Sequence, residues 1–426
     1  MSSIQKMSKE ELLARKAELE SAYNEYHDRH LSFDMSRGKP GPDLLALTQG
    51  MLDCVNERDG YITPSGLDTR NYGVLGGIPE AKELFGEIFG IDPDNVIVCG
   101  NSSLNLMYDY ISTAYAKGVC GEEPWARQGA VKFLCPVPGY DRHFAITEFF
   151  GIEMINVPLN DDGPDMDVVE EAIKDPLVKG IWCVPMYSNP TGITYSDETV
   201  KRFANLKPAA KDFRIMWDNA YCLHHLGAEQ DTLLNIFEES KKANNENIVI
   251  AFTSTSKISF PGSGVAAIAA SDDNIADIRR RLTVETIGYD KVNMLRHIRF
   301  FKDLDGIRHQ MKLRGEVLSP KFHLVTSTLK EKLGGKDIAK WNEPKGGYFV
   351  SVNLLPGCAS KVAEKLKDAG ITITNAGATF PYGKDPKDAN LRLAPSYPPL
   401  DELRVCMELF CICAELVSIE KLLSLK

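Results

Sequence analysis

The sequence predicts an α/β fold: a mainly parallel seven-stranded sheet flanked by helices, with a smaller α+β domain formed by both chain termini. Three observations lead there. Seven apolar segments, 96–99, 131–135, 153–157, 180–184, 214–217, 248–252 and 265–270, read as strands. Several are continuous apolar runs, as expected of strands buried on both faces. Helical patterns alternate with them up to about residue 310, which implies an open sheet with its ligands at the strand ends.

The remaining elements follow in chain order. Residues 9–27 form a charged amphipathic helix, with Leu12, Leu13, Leu19 and Tyr23 among its apolar positions, and it is expected to pack on the small domain. A Pro/Gly-rich turn at 36–43 crosses into the body. A helix at 104–115 follows the first strand. A long helical stretch from 308 to about 333 leads into strands at 348–352 and 391–393 and helices at 360–369 and 400–425. The expected division is 1–50 for the N-terminal helix and part of the small domain, 51–310 for the large domain, and 311–426 for the C-terminal small domain.

Composition narrows the function. A chain of 426 residues can bury a sizeable core, and 43% apolar with 25% charged residues is ordinary for a soluble globular protein. A net charge of −10 argues against general nucleic-acid binding, so any anionic ligand must be captured by a few placed donors. Ten cysteines are scattered without a Cys-x-x-Cys pair, so no metal centre is expected. Cys99, Cys135 and Cys183 lie in apolar strands, and Cys406, Cys411 and Cys413 in the last helix. Such thiols suit a reducing compartment, and the expected location is cytoplasmic. The polar start of the chain is not a signal peptide, and no apolar stretch approaches the roughly 18–20 residues of a membrane span.

Chemistry concentrates at strand ends. Lys257 follows the strand at 248–252 within Ser254-Thr255-Ser256-Lys257-Ile258-Ser259-Phe260-Pro261-Gly262. A partly desolvated lysine in such a loop loses its charge more readily and can trap a carbonyl; taken alone, it could equally be structural. Asp218 ends the strand at 214–217, with Tyr221 three residues on; a helix N-cap and a core tyrosine are the plain alternatives. Asn189-Pro190-Thr191-Gly192 forms a tight turn in which the Asn189–Pro190 bond is either cis or trans. Gly100-Asn101-Ser102-Ser103 opens a helix and makes either an anion cradle or an ordinary cap. Arg392 lies in Asn390-Leu391-Arg392.

Taken in this order, Asn-Pro-Thr-Gly, Asp-x-x-Tyr, Ser-x-x-Lys and the late Arg resemble the fold-type-I aminotransferases, which use pyridoxal 5′-phosphate (PLP). The segments Ser36-Arg-Gly-Lys-Pro, Arg70-Asn-Tyr-Gly, Pro138-Gly-Tyr-Asp-Arg-His143 and Ser254-Thr-Ser-Lys-Ile-Ser-Phe-Pro-Gly look like a bacterial aspartate aminotransferase subgroup related to the aminotransferase domain of MocR-type regulators.

The resemblance implies roles. Lys257 carries PLP as a Schiff base and then shuttles the substrate proton. Asp218 faces the pyridine nitrogen and keeps it protonated. Tyr221 approaches the ring O3′, and Tyr140 stacks on the ring. Ser102, Ser103 and Ser254 hold the phosphate. Tyr72 reaches the phosphate of a neighbouring subunit, which implies a homodimer with shared sites. Asn189 contacts O3′ and the substrate carboxylate. Arg392 receives the α-carboxylate as a bidentate fork, and Gly38 lets backbone approach it. Arg142 is expected to receive a second carboxylate, with Arg37 and Lys39 as alternatives.

One departure stands out. Where most relatives carry a phosphate-binding Arg eight residues after the lysine, this chain has Val265, preceded by Gly262-Ser263-Gly264. Backbone N–H groups with Ser263, or another Lys or Arg, must then substitute. The implied reaction is reversible amino transfer between L-aspartate and 2-oxoglutarate, giving oxaloacetate and L-glutamate. An aromatic or kynurenine aminotransferase and a PLP lyase or decarboxylase on the same fold are the alternatives. A DNA-binding regulator would need a basic winged-helix domain, for which the residues before Asp34 are too few and too acidic.

Overall fold

The computed structural model describes residues 3–426. In chain order its strands are β1 (Phe33–Asp34), β2 (Val96–Val98), β3 (Lys132–Val137), β4 (Glu153–Asn160), β5 (Gly163–Pro164), β6 (Val178–Cys183), β7 (Arg214–Asp218), β8 (Val249–Ser254), β9 (Ala266–Ala270), β10 (Ala339–Trp341), β11 (Val350–Leu354), β12 (Ile371–Thr372) and β13 (Asn390–Leu393). The large sheet has the order β2-β9-β8-β7-β6-β3-β4-β5. All seven expected strands are in it. The eighth, β5, is a two-residue return that pairs antiparallel with the end of β4 and is too short to show in an apolar pattern.

The pairs β3–β4, β3–β6, β6–β7 and β7–β8 are parallel, whereas β9 runs antiparallel to both β8 and β2. Two reversals restore direction, so β2 points the same way as the parallel strands. The C-terminal ends of β2, β3, β6, β7 and β8 therefore share one edge, where an open α/β sheet presents its ligand crevice.

Side-chain alternation explains why these strands are apolar throughout. Ile215, Trp217, Val249 and Ala251 join the core on one face, and Met216, Ile250 and Phe252 the core on the other. Every residue of β6 to β9 is buried, as strands covered on both faces require.

The small unit is built from both ends of the chain. β1 pairs in parallel with β12, and β10-β11-β13 form an antiparallel sheet. The helix Lys9–His27, started by a Ser8/Glu11 capping box, buries Leu12, Leu19 and Tyr23 in the core that also holds Leu403, Phe410 and Leu416 of the helix Leu400–Ser424. Leu13, on the other face, stays half exposed. Glu415 of that last helix is buried and pairs with Arg15 at 2.8 Å and with Lys336, tying the two termini together. No described helix is long and apolar enough to cross a membrane.

Candidate active site

Five strand ends build one cavity. Its lining includes Ser102 and Ser103 beyond β2, Tyr140 beyond β3, Asn189 beyond β6, Asp218 and Tyr221 at the end of β7, and Ser254 and Lys257 at the end of β8. Eight residues singled out from sequence are thus neighbours in space.

Lys257 sits in the turn that leaves β8, its Nζ 4.7 Å from the centroid of the Tyr221 ring. The turn is held from behind. Thr255 Oγ1 accepts the Val265 N–H at 2.8 Å, and His297 Nε2 lies 2.9 Å from Thr255 Oγ1 and 2.8 Å from Ser259 Oγ. Burial lowers the His297 pKa to about 4, so the ring is neutral at physiological pH and can accept from a hydroxyl. The wholly buried Arg314 donates Nη2 to the Ser259 carbonyl at 3.0 Å, and Tyr348 donates its hydroxyl to the Lys257 carbonyl at 3.2 Å.

Asp218 is 3% exposed, and its Oδ2 lies 3.0 Å from His143 Nε2. The other oxygen, Oδ1, is buried without a partner. His143 is stacked on Trp182, with ring centroids 4.4 Å apart, and meets the edge of Tyr140 at 4.9 Å. Trp182 Nε1 donates to Thr147 Oγ1, which in turn donates to the His143 carbonyl. No sequence motif marks His143 for a role; its spacing of three from Tyr140, on the helix Asp141–Phe149, is the signal that could have found it.

Burial, with the Asp218 carboxylate nearby, pushes the Tyr221 phenol well above its ordinary pKa, and burial raises Tyr140 to about 12. Both stay protonated across the physiological range.

Ser102 caps the helix Ser103–Lys117 by position but makes no side-chain capping bond, which leaves its hydroxyl free. Ser254 Oγ donates to Ser256 Oγ at 3.1 Å, and Ser256 Oγ donates to the Asn101 carbonyl at 2.9 Å, so the two serine-rich loops are joined. Val265 is buried. Gly264 packs so closely that a Cβ there would lie 2.9 Å from the Ser256 nitrogen. The Ser263 hydroxyl donates to Asn293 Oδ1, which also accepts from Arg296 Nη1.

Arg392, on β13, is 7% exposed. Its Nη1 donates to Asn189 Oδ1 at 3.1 Å and pairs with Asp141 Oδ1 at 2.9 Å, its Nε donates to Thr374 Oγ1, and its guanidinium lies 4.9 Å from the Phe349 ring centroid. The Asn189–Pro190 bond is cis. A Cβ at Gly38 would come within 2.4 Å of the Phe349 ring, so close approach to the residue backing Arg392 accounts for the glycine.

Four sequence-predicted positions lie apart from this cluster. Arg142 is exposed and outside the cavity lining. Lys39 pairs with Asp34 at 3.6 Å and lies over the Tyr397 ring, and Arg37 is exposed. Tyr72 is 82% exposed.

Comparison with known proteins agrees with this geometry. Residues 7–426 match the family described as aspartate amino-transferase. A Mycolicibacterium smegmatis protein whose name gives aminotransferase and no substrate is 46% identical over 99% of both chains. An aspartate aminotransferase of Corynebacterium glutamicum is 43% identical over 95% of this chain and 93% of its own. The crystal structure of an aspartate transaminase from Corynebacterium glutamicum superposes with a TM-score of 0.96 at 41% identity, covering 99% of each chain. A match along nearly the whole length, in sequence and in fold, makes this chain a member of the aspartate amino-transferase family and a transaminase.

Proposed function

We propose that the protein is a PLP-dependent aspartate aminotransferase that exchanges an amino group between L-aspartate and 2-oxoglutarate. The observation that carries this reading is the gathering of Lys257, Asp218, Tyr221, Asn189 and three serines in one cavity, with Arg392 bonded to Asn189 at its side. Aminotransferases of the family use PLP. The residues here fit it. Asp218 Oδ1 is the buried orphan acceptor that a protonated pyridine nitrogen would satisfy, and the uncapped first turn at Ser102 and Ser103 suits a phosphate.

When bound, PLP supplies the electron sink for charge that develops at the substrate Cα. Lys257 Nζ moves the proton at Cα. Arg392 holds the α-carboxylate and so aims the Cα–H bond, and Asn189 steadies Arg392 through its Oδ1. Tyr221 would hold the bound ring through its phenol, and Tyr140 would pack against it. Ser102, Ser103 and Ser254 would hold the phosphate, with backbone N–H groups and Ser263, or another Lys or Arg, in place of the arginine that this chain lacks at Val265. We read the protein as a cytoplasmic homodimer in which Tyr72 serves the partner's site; its 82% exposure supports that reading.

One observation favours an aromatic donor instead. Among the described residues Lys257 is the sole cation lining the cavity, and Arg142 is exposed and outside that lining. The absorbance of the PLP-loaded protein decides. The expected result is a change on adding L-aspartate that 2-oxoglutarate reverses. A spectrum that ignores aspartate but answers an aromatic amino acid would move the specificity, and one that shows no cofactor after adding PLP would end the assignment.

A further inference from the structure

Arg392 carries an anion of its own. Asp141 Oδ1 lies 2.9 Å from Nη1, the same nitrogen that reaches Asn189 Oδ1 at 3.1 Å. The two side chains differ sharply in exposure: 8% for Arg392 and 33% for Asp141. A buried guanidinium without a carboxylate is costly, so in the free enzyme Asp141 stabilises Arg392. A substrate carboxylate, however, needs the same fork, and two carboxylates on one guanidinium repel each other.

We propose that Asp141 is a displaceable placeholder: it occupies the guanidinium of Arg392 in the free enzyme and gives way to the incoming α-carboxylate. The inference rests on the reading of Arg392 as the α-carboxylate receptor. Three features make the exchange feasible. Asp141 is one-third exposed, so water receives its carboxylate at little cost. It begins the helix Asp141–Phe149, whose positive end stabilises a released anion, and its neighbour Tyr140 supplies no side-chain cap that would compete. Arg392 itself stays put, because Thr374, Asn189 and Phe349 hold it independently of Asp141. Asp141 is thus a positioning residue that sets the concentration at which carboxylate ligands compete. If the pair is closed about nine-tenths of the time, ligand affinity is reduced about tenfold.

The test uses the PLP-supplemented enzyme and calorimetric binding of succinate and of 3-phenylpropionate, with steady-state kinetics alongside. In Asp141→Asn, both ligands are expected to bind about tenfold tighter, and the KM for the amino donor to fall without a rise in kcat. Asp141→Ser, which also removes the charge, must show the same direction, which guards against a folding defect in one variant. Binding that weakens, or that stays within about twofold of wild type, would make Asp141 a fixed brace and overturn the proposal. The Arg392→Lys background separates the two readings. Loss of affinity there, with no further gain from Asp141→Asn, supports both, and a gain that persists without Arg392 overturns the placeholder. Unchanged affinity in Arg392→Lys alone refutes Arg392 as receptor.

Discussion

Asp218 and Arg392 are both buried, at 3% and 7% exposure, but they are held in different ways. Asp218 is braced by His143, itself stacked on Trp182 and only 1% exposed, so a wall of aromatic side chains keeps one carboxylate oxygen aimed and water excluded. Arg392 is steadied by Asn189 and Thr374, yet its counter-ion is the partly exposed Asp141. Under the proposed function, the half that would hold the cofactor is built in advance and needs no reorganisation when it acts, and the half that would hold the substrate is arranged to exchange one carboxylate for another. A residue that must keep one partner through every turnover is locked by packing, whereas one that must change partners keeps an edge toward solvent.

The contrast can be broken from either side. The largest effect is expected for Lys257→Ala, which should bring transamination below detection while circular dichroism and thermal melting stay near wild type; substantial residual turnover would remove Lys257 from the chemistry. Asp218→Asn should lower kcat by about a hundredfold or more, since a neutral amide cannot hold the proton on the ring nitrogen; a loss under about tenfold would leave Asp218 a packing residue.

Gly38→Ala tests the substrate half. Its new methyl meets the Phe349 ring and should displace the support of Arg392, raising the KM for the amino donor about tenfold with little change in cofactor affinity. Loss of cofactor with an unchanged KM would reverse the assignment of Gly38 to the substrate side.

The clamp behind Lys257 carries a pH signature. His297 is held near 4 in the folded state against about 6.5 when unfolded, so the unfolded chain binds the extra proton. Its stability contribution is complete above pH ~6.5 and is lost as pH falls through ~4, by about 3 kcal/mol in all. Denaturant unfolding of His297→Gln between pH 4 and 7 should show a correspondingly flatter decline; a slope identical to wild type would place the acid sensitivity elsewhere. The smallest effect is expected for Arg142→Ala, with the KM for aspartate changed less than about threefold, because an exposed arginine contributes little. A larger rise, specific to aspartate over an aromatic donor, would bring Arg142 back as the second carboxylate receptor.

Much of this was legible in the chain. The seven expected segments became seven strands, and those of β6 to β9 were clearest because a strand covered on both faces must be apolar at every position, and that pattern is local. The motifs at the ends of β3, β6, β7 and β8 were legible for the same reason: parallel strands deliver their C-terminal ends to one edge, so residues far apart in sequence meet there. The two-residue β5 was not legible, since it exists only as the return of β4. Nor was the pairing of Arg392 with Asp141, which lie 251 positions apart and meet across the two units. His143 was visible as a residue and invisible as a partner, because only the fold brings its ring to Asp218, 75 positions away.

By itself the sequence determined the α/β class, the seven main strands of the large sheet and the candidate lysine, carboxylate and arginine that the fold then brings close together. Periodicity and strand-end motifs are properties of short segments, which is why they survive without tertiary information. Tertiary structure alone decided which of several candidate cations is free and which is engaged: Lys39 is drawn to Asp34 and Tyr397, Arg142 turns outward, and Arg392 turns inward against Asp141. A charge takes its meaning from what lies within a few ångströms of it, and that neighbourhood is set by the packing of distant segments rather than by the residues beside it in the chain.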